Sequence, residues 1–95
     1  MIDGEIYTFV HNTDLVFAYK ETMGDYYIHY IMVNAFGEVK RNGDGRCNGK
    51  LLCNPVRLAT IREKERFKRL LHMKDYHYSV ANKKVRRIST GEILL

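Results

Sequence analysis

Only one stretch of the chain carries both the start signal and the period of an α-helix, and this narrows the folds open to it. The stretch is TIREKERFKRLLHMK, residues 60–74. Thr60 suits an N-cap, because its hydroxyl can accept from the backbone N–H three residues on. Glu63 stands where a carboxylate reaches back to the N–H of the cap, which completes a capping box. At about 100° per residue, Phe67, Leu70 and Leu71 share one face. Thr60, Glu63 and Lys74 fall on that same side, so only the second half of the helix is expected to pack deeply. The core must therefore come from one helix laid on paired strands.

Strand signals fill the rest of the chain. GEIYTFV (4–10) is rich in β-branched and aromatic residues, and HNTD (11–14) suits a hairpin loop. LVFAYK (15–20) is apolar on both alternating sets, so both its faces should be covered. ETMGD (21–25) turns the chain into YYIHYIMV (26–33), the strongest strand signal. NAFG (34–37) turns it again into EVKR (38–41), a short polar edge strand. NGDGRCNGK (42–50) reads as a surface loop. LLCNPV (51–56) is a brief extended piece, with Pro55 disfavouring helix at Asn54. After the helix, YHYSV (76–80) and VRRI (85–88) form a hairpin around ANKK, with Asn82 suited to a left-handed turn position. The tail 89–95 either adds little or covers an open edge.

The expected class is α+β, in the order ββββαββ. It is either a mostly antiparallel twisted sheet or a small SH3-like barrel, with one amphipathic basic helix. Residues 1–95 should form a single domain, with a strand-rich part (1–53) and a helix plus hairpin (56–88). Seven Tyr and four Phe with no Trp put aromatic rings in the core. Along 26–33, strict alternation sends Tyr26, Ile28, Tyr30 and Met32 one way and Tyr27, His29, Ile31 and Val33 the other. An exposed Tyr row could stack nucleobases, but both sets are apolar, so core packing is favoured, with His29 satisfied inside it.

Charge is unevenly spread. Residues 1–53 hold five Lys/Arg and seven Asp/Glu, a net of −2, whereas 54–95 hold eleven and four, a net of +7. Such asymmetry points to an anionic partner. No run of about 18 apolar residues is present, so no membrane partner is expected. The opening MIDGEIYTFV lacks the basic region and long apolar core of a secretion signal, so the expectation is a cytoplasmic protein with free thiols at Cys47 and Cys53.

The run VRLATIREKERFKRLLHMKDYHYSVANKKVRRI (56–88) resembles a small uncharacterised module recurring in proteins of phages and mobile elements of gut bacteria. The resemblance is carried by Arg57, Leu58, Ala59, Thr60, Glu63 and Lys64, by Phe67, Leu70 and Leu71, and by Tyr76, Tyr78, Lys83 and Lys84. EIYTFV and LVFAYK are similar to the strand pair that often precedes that module. The module usually shows Gly-Tyr before Trp-Asn, where this chain has Asp75-Tyr76-His77-Tyr78-Ser79. The resemblance implies a fold and a context and no particular chemistry.

Arg62, Arg66 and Arg69, with Met73, fall within about 60° on the helix surface, where three guanidiniums could bind phosphates. Lys83, Lys84, Arg86 and Arg87 of the hairpin could extend that patch. Against this, Glu63 stands three residues from Arg66, and Glu65 is near both Arg62 and Arg69, so a solvated, internally paired face is the competing expectation. Cys47 and Cys53 are six apart and His72 and His77 much further on, which is not zinc-ligand spacing, so no metal or cofactor is expected. The glycine loop lacks a Gly-Lys-Ser/Thr ending. Neither Ser79 nor Ser89 sits in a nucleophile elbow, so no enzymatic activity is expected. The expected function is a non-enzymatic binding module for nucleic acid or an acidic protein. The alternative is a small homo-oligomeric domain, such as a homodimer, or a protein–protein interaction or assembly domain, pairing through a strand edge or aromatic face.

Overall fold

The computed structural model describes residues 1–41 and 55–94. The expectations for the glycine loop and for Cys47 and Cys53 fall outside these residues. The elements are β1 (Ile6–Phe9), β2 (Asn12–Met23), β3 (Tyr26–Val33), β4 (Val39–Arg41), β5 (Val56–Leu58), α1 (Ile61–Met73), β6 (Tyr76–Ser79) and β7 (Lys84–Arg87). The first five strands form one antiparallel sheet, ordered β4-β3-β2-β1-β5, and β6 and β7 form a separate hairpin. The sheet is open: β4 and β5, three residues each, lie at opposite edges and do not pair with one another. The barrel form of the expectation is thereby corrected, while the α+β class and the element order stand.

β2 runs longer than its hydropathy alone suggested, whereas β1 is shorter, Ile6–Phe9 and not 4–10. β2 takes in residues expected to turn and continues to Met23, so the loops shrink to Val10-His11 and Gly24-Asp25. Gly24 adopts φ 57° at the first position of the second turn, where a tight hairpin favours glycine.

Strict alternation in β3 is broken at one residue. Ile31 pairs with Ala18, but His29 pairs with Tyr19 and Ile28 with Glu21, leaving Tyr30 and Lys20 as bulged positions. A bulge flips the inward set. Ile31 and Val33 consequently belong to the helix-side core, whereas Tyr27 packs on the opposite face with Tyr7, Phe9 and Phe17. Alternation had placed Tyr27, Ile31 and Val33 together. On that opposite face the rings of Phe9 and Phe17 stack at 5.4 Å, and Tyr27 lies over Phe17 at 6.2 Å. This aromatic set is core and not an exposed stacking row, and His29 is buried as well.

The helix and the hairpin cover the other face. Phe67, Leu71, Tyr78 and Val85 bury against Ile6, Val16, Ala18, Ile31 and Val33, with Leu70 and Tyr76 packed alongside. Only Phe67 and Leu71 of the helix are fully buried, both in its second half, as the facial pattern predicts. The capping box is present: Glu63 N–H donates to Thr60 Oγ1 at 3.2 Å, and Thr60 N–H donates to Glu63 Oε1 at 2.8 Å.

Left-handed backbone at the hairpin falls on Lys83 (φ 55°) and not on Asn82, and at its entrance on Asp75 (φ 65°). Asp75 links the end of the helix to β6. Its short side chain tolerates the conformation, and its carboxylate accepts from the Ser89 N–H at 2.9 Å and from the Ser89 hydroxyl. The tail covers the outer edge of β7: Ile93 bridges to Arg86, and Leu94 N–H donates to Val85 C=O at 2.7 Å.

The bulged Tyr30 ties the sheet to the hairpin. Its ring lies 6.2 Å from that of Tyr78, and its hydroxyl donates to Asp3 Oδ1 at 2.8 Å. Burial, and then the Asp3 carboxylate, push the Tyr30 hydroxyl up to about 12. The Tyr78 hydroxyl donates to the Gly4 carbonyl at 2.6 Å and is pushed well above the usual tyrosine range, chiefly by burial.

Candidate anion-binding surface

The seven cations singled out from the sequence have separate fates. Arg66 is half-buried and turned along the flank of the helix. Its guanidinium donates to the carbonyls of Asp14, at 2.8 Å, and Asn34, at 3.2 Å, clamping the helix to the start of β2 and the end of β3. Lys83 reaches the Asp3 carboxylate at 3.1 Å. Arg87 lies over the ring of Tyr76 at 5.3 Å, and Arg41 lies over the same ring at 5.6 Å. These three are held by the fold.

The expected carboxylate partners are also reassigned. Glu63 does not reach Arg66. Arg57 of β5 donates to both of its oxygens, at 2.8 and 2.9 Å. That fork, with the cap N–H, lowers the Glu63 carboxyl to about 2. The pair closes β5 onto the first turn of the helix, so the carboxylate that was to neutralise the arginine stripe serves the N-terminus of α1.

Arg62 and Arg69 are exposed, and Lys84 and Arg86 lie on the face of the hairpin opposite buried Tyr78 and Val85. Neither Arg62 nor Arg69 makes a salt bridge among the described residues. On the helix, Lys68, Ile61, His72, Glu65, Arg69 and Arg62 follow one another over an arc of about 120°, all exposed, with Ile61 as the one apolar residue and Glu65 as the lone acid.

Two histidines join this arc to the hairpin. His72 Nε2 and His77 Nδ1 are 3.1 Å apart, and one ring must donate to the other. The His77 imidazole is held below the usual histidine range, first by burial and then by the cations of Arg86, His72 and Lys68. Lys68 and His72 of α1 and Arg86 of β7 thus lie around the His77 ring, where helix and hairpin meet. Lys68, His72 and His77 were not among the cations singled out from the sequence. The signal was available, since Lys64, Lys68 and His72 recur at i+4 beside the apolar stripe.

A hollow of about 170 Å³ opens beside this surface. Phe67, Leu71, Tyr78 and Ile6 form its floor, and Lys64, Lys68 and His72 its rim. It is smaller than the roughly 300 Å³ that small-molecule sites need. Among the described residues no group of three or more His, Cys, Asp or Glu is arranged to hold a metal ion. No helix in the described residues is long and apolar enough to cross a membrane. Comparisons with protein-family models, curated proteins and solved structures returned no match.

Proposed function

We infer that the chain is a non-enzymatic binding module, of the phage or mobile-element type its helix–hairpin motif resembles, and that it engages a nucleic acid through the outer faces of α1 and the β6–β7 hairpin. The observation that supports this reading is the His72–His77 contact, which brings the helix bearing exposed Arg62, Lys68 and Arg69 against the hairpin bearing Lys84 and Arg86. A surface of repeated cations with a single interspersed acid suits a partner of repeated anions, because each phosphate neutralised releases a counterion. An acidic protein offers the same charge with less regular spacing.

The test is fluorescence anisotropy at low salt with duplex DNA, single-stranded DNA, single-stranded RNA and polyglutamate. The triple variant Arg62→Ala, Arg69→Ala, Arg86→Ala should bind at least tenfold more weakly than the parent and fold normally. Unchanged affinity in that variant, or no binding of any polyanion by the parent, would overturn the reading.

A second reading has its own observation. Among the described residues β5 is an outer strand of the sheet, and Leu58 and Ile61 beside it are 54 % and 77 % exposed, which suits a homodimer joined edge to edge. Light scattering separates the two readings: a dimer insensitive to salt, and disrupted by Leu58→Lys, belongs to the second.

A further inference from the structure

The β3–β4 turn displays Phe36 with 88 % of its surface exposed, more than any other large apolar side chain among the described residues. Water is a poor environment for a phenylalanine, and a slack turn would let it fold back onto the core. This turn is braced instead. Asn34 Oδ1 accepts from the Phe36 and Glu38 N–H groups, both at 3.0 Å, and Asn34 Nδ2 donates to Glu38 Oε1 at 3.1 Å. Gly37 adopts φ 75°, and its N–H donates to Asn34 C=O at 3.0 Å. Arg66 holds the same carbonyl from the helix, at 3.2 Å. The ring is therefore presented from a fixed platform on the flank of α1, next to the face that carries Arg62, Arg69 and exposed Met73.

The charge around it favours an anion. Arg62, Arg66 and Arg69 lie on the helix side, and Lys40 and Lys74, with Glu38, line a hollow of about 340 Å³ next to the turn. The facing carboxylates are Asp14, Glu65 and Glu38, the last of them bonded to the Asn34 amide. An exposed ring beside a basic helix can take a nucleobase on its face while the cations take the flanking phosphates. A duplex offers no such base, because its bases already stack on one another.

We propose that Phe36 is a stacking platform for one base of a single-stranded nucleic acid whose phosphates run along Arg62 and Arg69. This rests on the nucleic-acid reading above and narrows it from any nucleic acid to a single strand.

Tryptophan fluorescence and anisotropy test it. The chain contains no Trp, so Phe36→Trp carries the sole indole. Against a twelve-residue oligothymidine, the parent should bind more tightly than to a duplex of equal length. Phe36→Ala should lose about 5- to 100-fold in affinity for the single strand, with the duplex little affected. Phe36→Trp should keep its affinity, and its emission should be quenched on binding. If Phe36→Ala binds the oligonucleotide like the parent while the arginine variant does not, the platform is wrong and the anion-binding surface stands. If the parent binds polyglutamate and neither nucleic acid, the nucleic-acid reading and the platform fail together, and Phe36 becomes a candidate anchor for a protein partner.

Discussion

Arg66 of the helix is held by two main-chain carbonyls of the sheet, those of Asp14 and Asn34, whereas on the hairpin Lys83 is held by the Asp3 carboxylate and Arg87 lies against the Tyr76 ring. These attachments differ in what they leave behind. A carbonyl is neutral, so Arg66 keeps its full charge while losing its freedom to move. The Asp3 carboxylate offsets the charge of Lys83 directly. The cations with no such attachment, Arg62 and Arg69 on the helix and Lys84 on the hairpin, keep both charge and freedom. A basic segment thus divides into cations that build the fold and cations available to a partner, and proximity in sequence does not separate the two groups.

The comparison can be broken by variants that strike one group alone. Gly4→Ala should do most harm. Gly4 adopts φ 90°, and an added Cβ would lie 2.7 Å from Lys83 Cγ, so the substitution both strains the backbone and displaces a fold-building cation. A loss of about 2 kcal/mol in chemical denaturation is expected. Arg66→Ala comes next, at about 1–2 kcal/mol, for two charge-assisted bonds at a half-buried site. Arg66→Lys should restore little of this, because an ammonium lacks the fork that spans both carbonyls.

Acid should loosen the helix start. The Glu63 carboxyl is depressed from 4.5 to about 2 in the folded chain. Its stabilising effect is therefore complete above 4.5 and is lost as pH falls toward 2. Denaturation of the parent and of Glu63→Gln across that window should converge at the acid end, and parallel curves would remove the Arg57–Glu63 fork from the account. The smallest effects belong to Arg62→Ala and Arg69→Ala, each within about 0.5 kcal/mol of the parent in stability. A larger loss for either would move it into the fold-building group.

Much of the architecture was legible because local signals agreed with the final contacts. Thr60 and Glu63 announce the helix start, the Phe67–Leu71 spacing announces the face it buries, and YYIHYIMV matches β3 residue for residue. What escaped was set by distant pairing. The bulge at Tyr30 depends on how β2 lies beside β3, and one unpaired residue moves Tyr27 to the other side of the sheet. The partner of Glu63 was missed for the same reason: Arg57 stands on a neighbouring strand, while the helical neighbours Arg62 and Arg66 were nearer in sequence. Of the candidate surface, the charge was visible in the sequence. Its continuity through His72 and His77 needed the hairpin to fold back onto the end of the helix.

The division of the cations is tested most directly by the salt dependence of binding to a single-stranded oligonucleotide. Each phosphate contact adds roughly 0.7 to the slope of log affinity against log salt concentration. Arg62→Ala with Arg69→Ala should lower that slope by about 1.4 and leave stability unchanged. Lys83→Ala should instead lower stability slightly, through loss of the Asp3 contact, and leave the slope within experimental error of the parent. A slope that falls with Lys83→Ala, or one that survives loss of Arg62 and Arg69, would contradict the account.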